Sequence, residues 1–239
     1  MTTTPAQSTH LSAEIAREHE TDFVKALAQA DLAFSQYVSE DNPYGASEAL
    51  CSRVLTLRQC ARQSDMTPLQ KNTYLLQALH SAQASLEIAQ KASVSCAIAY
   101  QNLGKVQTDL GLQSEAIESY EKAVSEQENR PHDTQNRPGV LANMRELLAS
   151  AQLANGDMSA LVRAEKALQD LGESDEDDYN KAVWLLHGHA RVAHACATSN
   201  RESARRHYAS ARTILSTRQD LVLSAHILDD LSELSDQTI

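Results

Sequence analysis

The stretch from Ala97 to Ser125 constrains the fold more than any other part of the chain. It reads A-I-A-Y-Q-N-L-G-K-V-Q-T-D-L-G-L-Q-S-E-A-I-E-S-Y-E-K-A-V-S. Tyr100, Leu103, Gly104 and Leu110 recur at helical spacing, and so do Ala116, Ile117, Tyr120, Ala123 and Val124. Each set makes one apolar stripe, so two amphipathic helices are expected with a turn between them. Gly111 falls where a helix end favours a residue tolerant of positive φ, and Ser114 is placed to cap the second helix. Small residues at Gly104, Ala116 and Ala123 would let the two backbones approach closely.

These residues carry a resemblance. The stretch resembles a tetratricopeptide repeat (TPR), a helix-turn-helix unit of about 34 residues. Tyr100 stands at the family's first aromatic position, Leu103-Gly104 at its Leu-Gly pair with Asn102 before it, and Gly111 at the end of helix A. Ala116, Tyr120 and Ala123 match the helix B signature of Ala, aromatic, Ala. Gln107 replaces the usual tyrosine, and Glu128 stands where proline often closes the repeat. The resemblance implies a right-handed superhelix of stacked antiparallel helix pairs, and a binding scaffold rather than an enzyme.

Composition agrees with an all-α chain. Among 239 residues there are seven Gly and five Pro, and aromatics make up 4%. Ala, Leu, Gln, Glu and Ser dominate, and β-branched runs are rare, which favours helix. A formal charge of -11 argues against nucleic acid, whose phosphates need a positive surface, and against anionic membranes. Cys51, Cys60, Cys96 and Cys196 form no CxxC and no zinc spacing, so buried, reduced thiols are expected. The first ten residues lack the apolar core of a signal peptide, and no window reaches a membrane span, so a cytoplasmic protein is expected.

In order along the chain, residues 1-10 are expected to be disordered. Residues 11-92 hold N-terminal helices and a degenerate repeat. Ile15, Phe23, Leu27, Ala30, Phe34 and Val38 give one long helical pattern, with a possible break at Thr21-Asp22. Asn42-Pro43 ends it. A second helix spans about Ala46 to Gln63. Thr67-Pro68-Leu69-Gln70 reads as a capping box opening a third, in which Ala82, Leu86 and Ala89 repeat the helix B spacing. The clear repeat occupies 97-128, and a polar loop with two prolines follows from Asn129 to Gly139.

A weak repeat covers 138-171, marked by Leu141, Met144, Leu148, Leu153, Ala160, Ala164, Ala167 and Leu168. The acidic run Glu173-Asp178 precedes a helix start, where negative charge is favourable. An elongated repeat covers 179-216. Trp184 takes the aromatic position, Gly188 the glycine four later, and Ala204, Tyr208 and Ala211 the helix B signature, with His187 replacing leucine. Residues 218-235, rich in leucine from Leu221 and Leu223 to Leu234, read as a capping helix.

Chemistry finds little support. There is no Gly-rich phosphate loop, GxSxG elbow or HExxH. His187 and His189, two apart on a helix, point away from each other, and Arg191 stands between His187 and His194, so no metal site is expected. No cofactor is expected either. Glu115-Glu118 and Glu233-Asp236 read as solvent-face carboxylates. Arg201, Arg205, Arg206 and Arg212 form one basic patch, either a solvated face or a dock for an acidic peptide. By the register of the resemblance, Gln101, Asn102, Lys105 and Thr108 would line a concave peptide-binding groove. Asn143, Glu146 and Ser150 would continue it, and then Leu185 and His189. The family's clamp for chaperone tails is not expected, because Glu146 stands where positive charge is wanted. Two alternatives stay open: a structural or self-associating subunit, with a homo-oligomer as its form, and a ligand- or signal-peptide-sensing regulator of bacterial type.

Overall fold

A computed structural model of the chain describes residues 3-130 and 136-234, with the side chains at 219, 222-226, 230 and 232 left aside. Among the described residues there are ten α-helices, one 3₁₀ segment and no strand. The chain divides into two compact units, Met1–Gln127 and Glu128–Ile239.

The first unit holds α1 (Pro5–Glu18), α2 (Phe23–Ser39), α3 (Pro43–Ala61), α4 (Pro68–Lys91), α5 (Ala97–Asp109) and most of α6 (Gln113–Glu128). From α1 to α5 each helix packs on the next, and α1, α3 and α5 also touch in succession. The helix starts are chemically marked. Thr4 and Gln7 exchange hydrogen bonds in a capping box before Pro5, and Thr67 and Gln70 do the same before Pro68. Asp22 and Asn42 cap α2 and α3 by accepting from the backbone N–H of Lys25 and Gly45. The helix ends turn through left-handed residues at Thr21, Asp41, Ser93 and Gly111. Alanine dominates the interfaces: Ala6, Ala33, Ala46 and Ala49 surround Tyr37, and Ala78 and Ala82 meet Val54, Leu57, Leu103 and Val106. Such small side chains let helix axes come close.

Two expectations change here, and one break falls where the sequence placed it. Residues 5-10 are helical rather than disordered, because the capping box fixes the start and Ala6 is buried against α2. The long N-terminal pattern does break at Thr21-Asp22, into two packed helices, α1 and α2, where Thr21 takes φ 57°. Ser114 lies within the first turn of α6, which begins at Gln113.

The second unit holds α7 (Pro138–Ala154), α8 (Ala160–Glu173), α9 (Asp178–Cys196), α10 (Arg201–Thr217) and the 3₁₀ segment Gln219–Leu234. Again each α-helix packs on the next, and α7 also touches α9. Leu153, Ala160, Ala164, Leu168, Val192, Cys196 and Ala204 form one core; Leu186, Ala190, Tyr208, Ala211, Leu221, Leu228 and Leu231 form another. Of the expected capping helix 218-235, the segment Gln219–Leu234 covers α9 and α10, but not as an α-helix: it is 3₁₀ and kinks at Leu221. Leu223 lies outside the described side chains, and Asp236, half of the expected Glu233-Asp236 pair, lies outside the described residues, as do residues 131-135 of the expected loop. No helix is long and apolar enough to cross a membrane among the described residues.

Candidate functional site

A cleft of ≈ 350 Å³ opens in the second unit, lined by Glu165, Leu168 and Gln169 of α8, His189 of α9, and Arg206, His207 and Ser210 of α10. Local sequence brings these helices together. A Cβ on Gly188 would lie 2.6 Å from Leu168 Cδ2 and 3.1 Å from Glu146 Cδ, so a larger residue would have to push both side chains aside where α9 meets α7 and α8. Asn200 caps α10 by accepting from Ser203 N–H, which starts the helix two turns ahead of His207.

His189 and His207 meet with their Nδ1 atoms 2.8 Å apart. Their ring centroids are 5.1 Å apart, so the two rings point at each other nitrogen to nitrogen. Head-on lone pairs share a proton; they do not converge on a common metal ion. Among the described residues no group of three or more His, Cys, Asp or Glu could hold a metal.

The partners assign the tautomers. His207 Nε2 lies 3.4 Å from Glu165 Oε1, and a carboxylate only accepts, so Nε2 carries the hydrogen. His207 Nδ1 is then an acceptor, and His189 Nδ1 must donate to it. The relay runs from His189 through His207 to Glu165 and leaves a lone pair on His189 Nε2. Arg206 also donates to Glu165 Oε1.

Beneath the relay lies Glu146 of α7, fully buried. Arg191 of α9 donates to both its oxygens, and Ser150 Oγ donates to Oε1 at 2.6 Å. Burial pushes the His189 imidazole down to about 4, helped by His207 and opposed by Glu146. Burial also lowers His207, with Glu165 and Glu146 pulling the other way and Arg206 adding to the depression. Both rings are therefore neutral near pH 7.

The expected groove residues fare unevenly. On α5, Gln101 and Asn102 are buried, while Lys105 and Thr108 are half-exposed. Asn102 donates to Ile98 O, and its buried Oδ1 has no partner. Thr108 Oγ1 lies 3.3 Å from the Tyr120 hydroxyl. On α7, Asn143, Glu146 and Ser150 are all buried, and on α9 Leu185 and His189 are half-buried. Five of the nine are thus not on an open face. Buried Glu146 is tolerated there because Arg191 and Ser150 supply hydrogen bonds. The structure brings Glu146 and Ser150 together in the ion-pair cluster and sets His189 above them; Gln101, Asn102, Lys105 and Thr108 belong to the other unit.

The repeat-signature residues mostly pack inward. Leu103, Gly104, Ala116, Tyr120, Ala123, Gly188, Ala204, Tyr208 and Ala211 are buried, Tyr100 and Trp184 are half-buried, and Gly111 is exposed at the turn. Tyr100 lies under Lys122, 5.8 Å from its ammonium, and accepts from Gln90. In the first unit the Arg58 and Arg62 guanidiniums reach Asp109 at 2.6 and 3.0 Å. Burial lifts the Asp109 carboxyl, but the two arginines outweigh it and hold it below the usual carboxylate value.

Glu165 and His207 escaped the sequence reading. They sit on different helices, 42 positions apart, with no spacing rule to join them. No family model matches the chain, and no curated protein matches it.

Proposed function

We propose that the chain is a non-catalytic scaffold that binds a protein or peptide, built from antiparallel helix pairs stacked as a TPR-like right-handed superhelix. One observation carries the reading: from α1 to α5 and from α7 to α10 each helix packs on the next in sequence, and odd-numbered helices in a unit pack on the next odd one. That order is what stacked hairpins produce, each burying the open flank of the one before it. The Gly104–Tyr120 approach between α5 and α6 supports the same pairing. Binding would use the part-exposed polar residues of each unit, such as Lys105 and Thr108 on α5 and His189 on α9.

The test is affinity capture from the source cell with the wild-type chain and Lys105→Glu. A partner retained by the first and lost by the second, with equal thermal stability, supports the scaffold. Equal capture by both removes α5 from the binding surface.

A second reading, a self-associating structural subunit, draws on exposed apolar residues of α1 and α2. Leu11, Val24 and Val38 are 55%, 81% and 57% exposed. Light scattering on the dilute protein separates the two, since a stable oligomer favours self-association.

A further inference from the structure

A second cleft, of ≈ 580 Å³, opens in the second unit between α10 and the 3₁₀ segment, and it shares no lining residue with the first. Tyr208, Arg212, Leu215 and Ser216 form its α10 wall. They stand at i, i+4, i+7 and i+8, which is one face of a helix. Leu228 and Asp229 of the 3₁₀ segment form the facing wall. The floor is apolar, because Tyr208 and Leu228 are buried and Leu215 packs against the same core. Arg212, Ser216 and Asp229 are exposed and stand at the rim. The two rim charges are unspent. Arg212 lies over the Tyr208 ring, 5.8 Å from its centroid, a contact that holds the guanidinium without consuming an N–H donor. Among the described residues neither Arg212 nor Asp229 forms an ion pair or hydrogen bond, with each other or with a neighbour. Ser216 Oγ donates to the Thr213 carbonyl at 2.9 Å and keeps its lone pairs.

We propose that this cleft binds a free α-amino acid with a large apolar side chain, such as leucine or phenylalanine. The charges on the two walls select the ligand. A simple carboxylate would satisfy Arg212 and face Asp229; a simple amine would satisfy Asp229 and face Arg212. A zwitterion supplies both counter-charges: its carboxylate accepts from the Arg212 fork, and its ammonium donates to Asp229 and to Ser216 Oγ. Its side chain then covers Tyr208, Leu215 and Leu228, which is the only apolar surface the cleft offers. A space of ≈ 580 Å³ lies within the ~300–1,000 Å³ of small-molecule pockets. The inference does not depend on the scaffold reading, since it concerns α10 and the segment after it and takes a small molecule rather than a protein.

The experiment is an NMR titration of the full chain with L-leucine, L-phenylalanine, glycine, isocaproate and isoamylamine, read on the Tyr208 ring signals. Isocaproate is leucine without its ammonium, isoamylamine is leucine without its carboxylate, and glycine lacks the side chain. Leucine or phenylalanine should shift the ring signals saturably, and each of the three cut-down probes should bind about tenfold more weakly or worse, by loss of one charge-assisted contact or of the apolar one. Arg212→Gln should bring leucine down to the level of isoamylamine, and Asp229→Asn should bring it down to the level of isocaproate. Both positions are exposed, so thermal stability should not change. No saturable response to either amino acid, isocaproate or isoamylamine binding as tightly as leucine, or leucine binding unchanged in both variants would each overturn the site. The series of cut-down probes on the wild-type chain decides the matter even where a variant fails to fold.

Discussion

Replacing Gly104 by alanine sets two effects of similar size against each other. Alanine in a helix interior is favoured over glycine by about 1 kcal/mol. Against that, the new Cβ would sit 2.6 Å from Tyr120 Cε1, 2.8 Å from Cδ1 and 3.0 Å from Cζ. Tyr120 is 2% exposed and its hydroxyl lies 3.3 Å from Thr108 Oγ1, so the ring cannot swing into solvent and keep its contacts. Overpacking of this kind costs about 1–3 kcal/mol. The net expectation for Gly104→Ala is a loss of about 1 kcal/mol. Gly172 in α8 is the internal control, because a Cβ there meets nothing within 4 Å, and Gly172→Ala should gain a few tenths to about 1 kcal/mol. Urea unfolding followed by circular dichroism reads both, as a shift of midpoint at constant slope. In a Tyr120→Leu background the cost of Gly104→Ala should shrink, which isolates the ring contact. If Gly104→Ala stabilises the chain as much as Gly172→Ala does, α5 and α6 do not meet through this pair and the reasoning fails.

Two further outcomes are expected. Glu146→Ala should cost about 3 kcal/mol or more in urea unfolding, because it strands Arg191 without its buried partner, and adding Arg191→Met should recover part of the loss. His189 binds its proton less tightly in the folded chain, about 4 against 6.5, so acid favours the unfolded state. The wild-type chain should lose at most about 3 kcal/mol through this group as pH falls between those values, and nothing through it above them. Its neighbours His207, Glu146, Glu165, Arg191 and Arg206 all bear on that slope, and His207 adds to it with the same sign. His189→Gln should flatten stability across this window, measured as urea midpoints at several pH values; an unchanged slope would place the titration elsewhere.

Much of the architecture was legible in the residues. Low Gly and Pro content, the Thr67-Pro68 cap and the two stripes around Gly104 and Tyr120 correctly give helices and their approximate limits. The reading failed where alanine does the burying. On α1 the eye falls on Leu11 and Ile15, which are 55% and 40% exposed, while Ala6, Ala13 and Ala16 are fully buried. An alanine-lined interface carries little hydrophobic contrast, so its periodicity is easily overruled by larger residues pointing outward. The Thr4-Pro5-Ala6-Gln7 box carries the same signal as Thr67-Pro68-Leu69-Gln70 and was lost among polar neighbours. The candidate site was less legible for a different reason. Polar residues at Asn143, Glu146 and Ser150 read as groove-lining, yet all three are buried; Glu146 is held by Arg191, 45 positions away. Helical spacing predicts which residues share a face, not what a distant helix brings to it.

The arginines that join alternate helices carry one last implication. Arg17 of α1 reaches Ser52 of α3, Arg58 of α3 reaches Asp109 of α5, and Arg191 of α9 reaches Glu146 of α7. Faces made of alanine are smooth and would tolerate slippage along the helix axis, whereas a guanidinium fork fits its acceptor at one offset only. These guanidiniums behave as index pins that set the stagger of helices otherwise free to glide. Anyone who shortens, duplicates or transplants helices from this chain must move pin and acceptor together, or expect the spliced pieces to seat out of step.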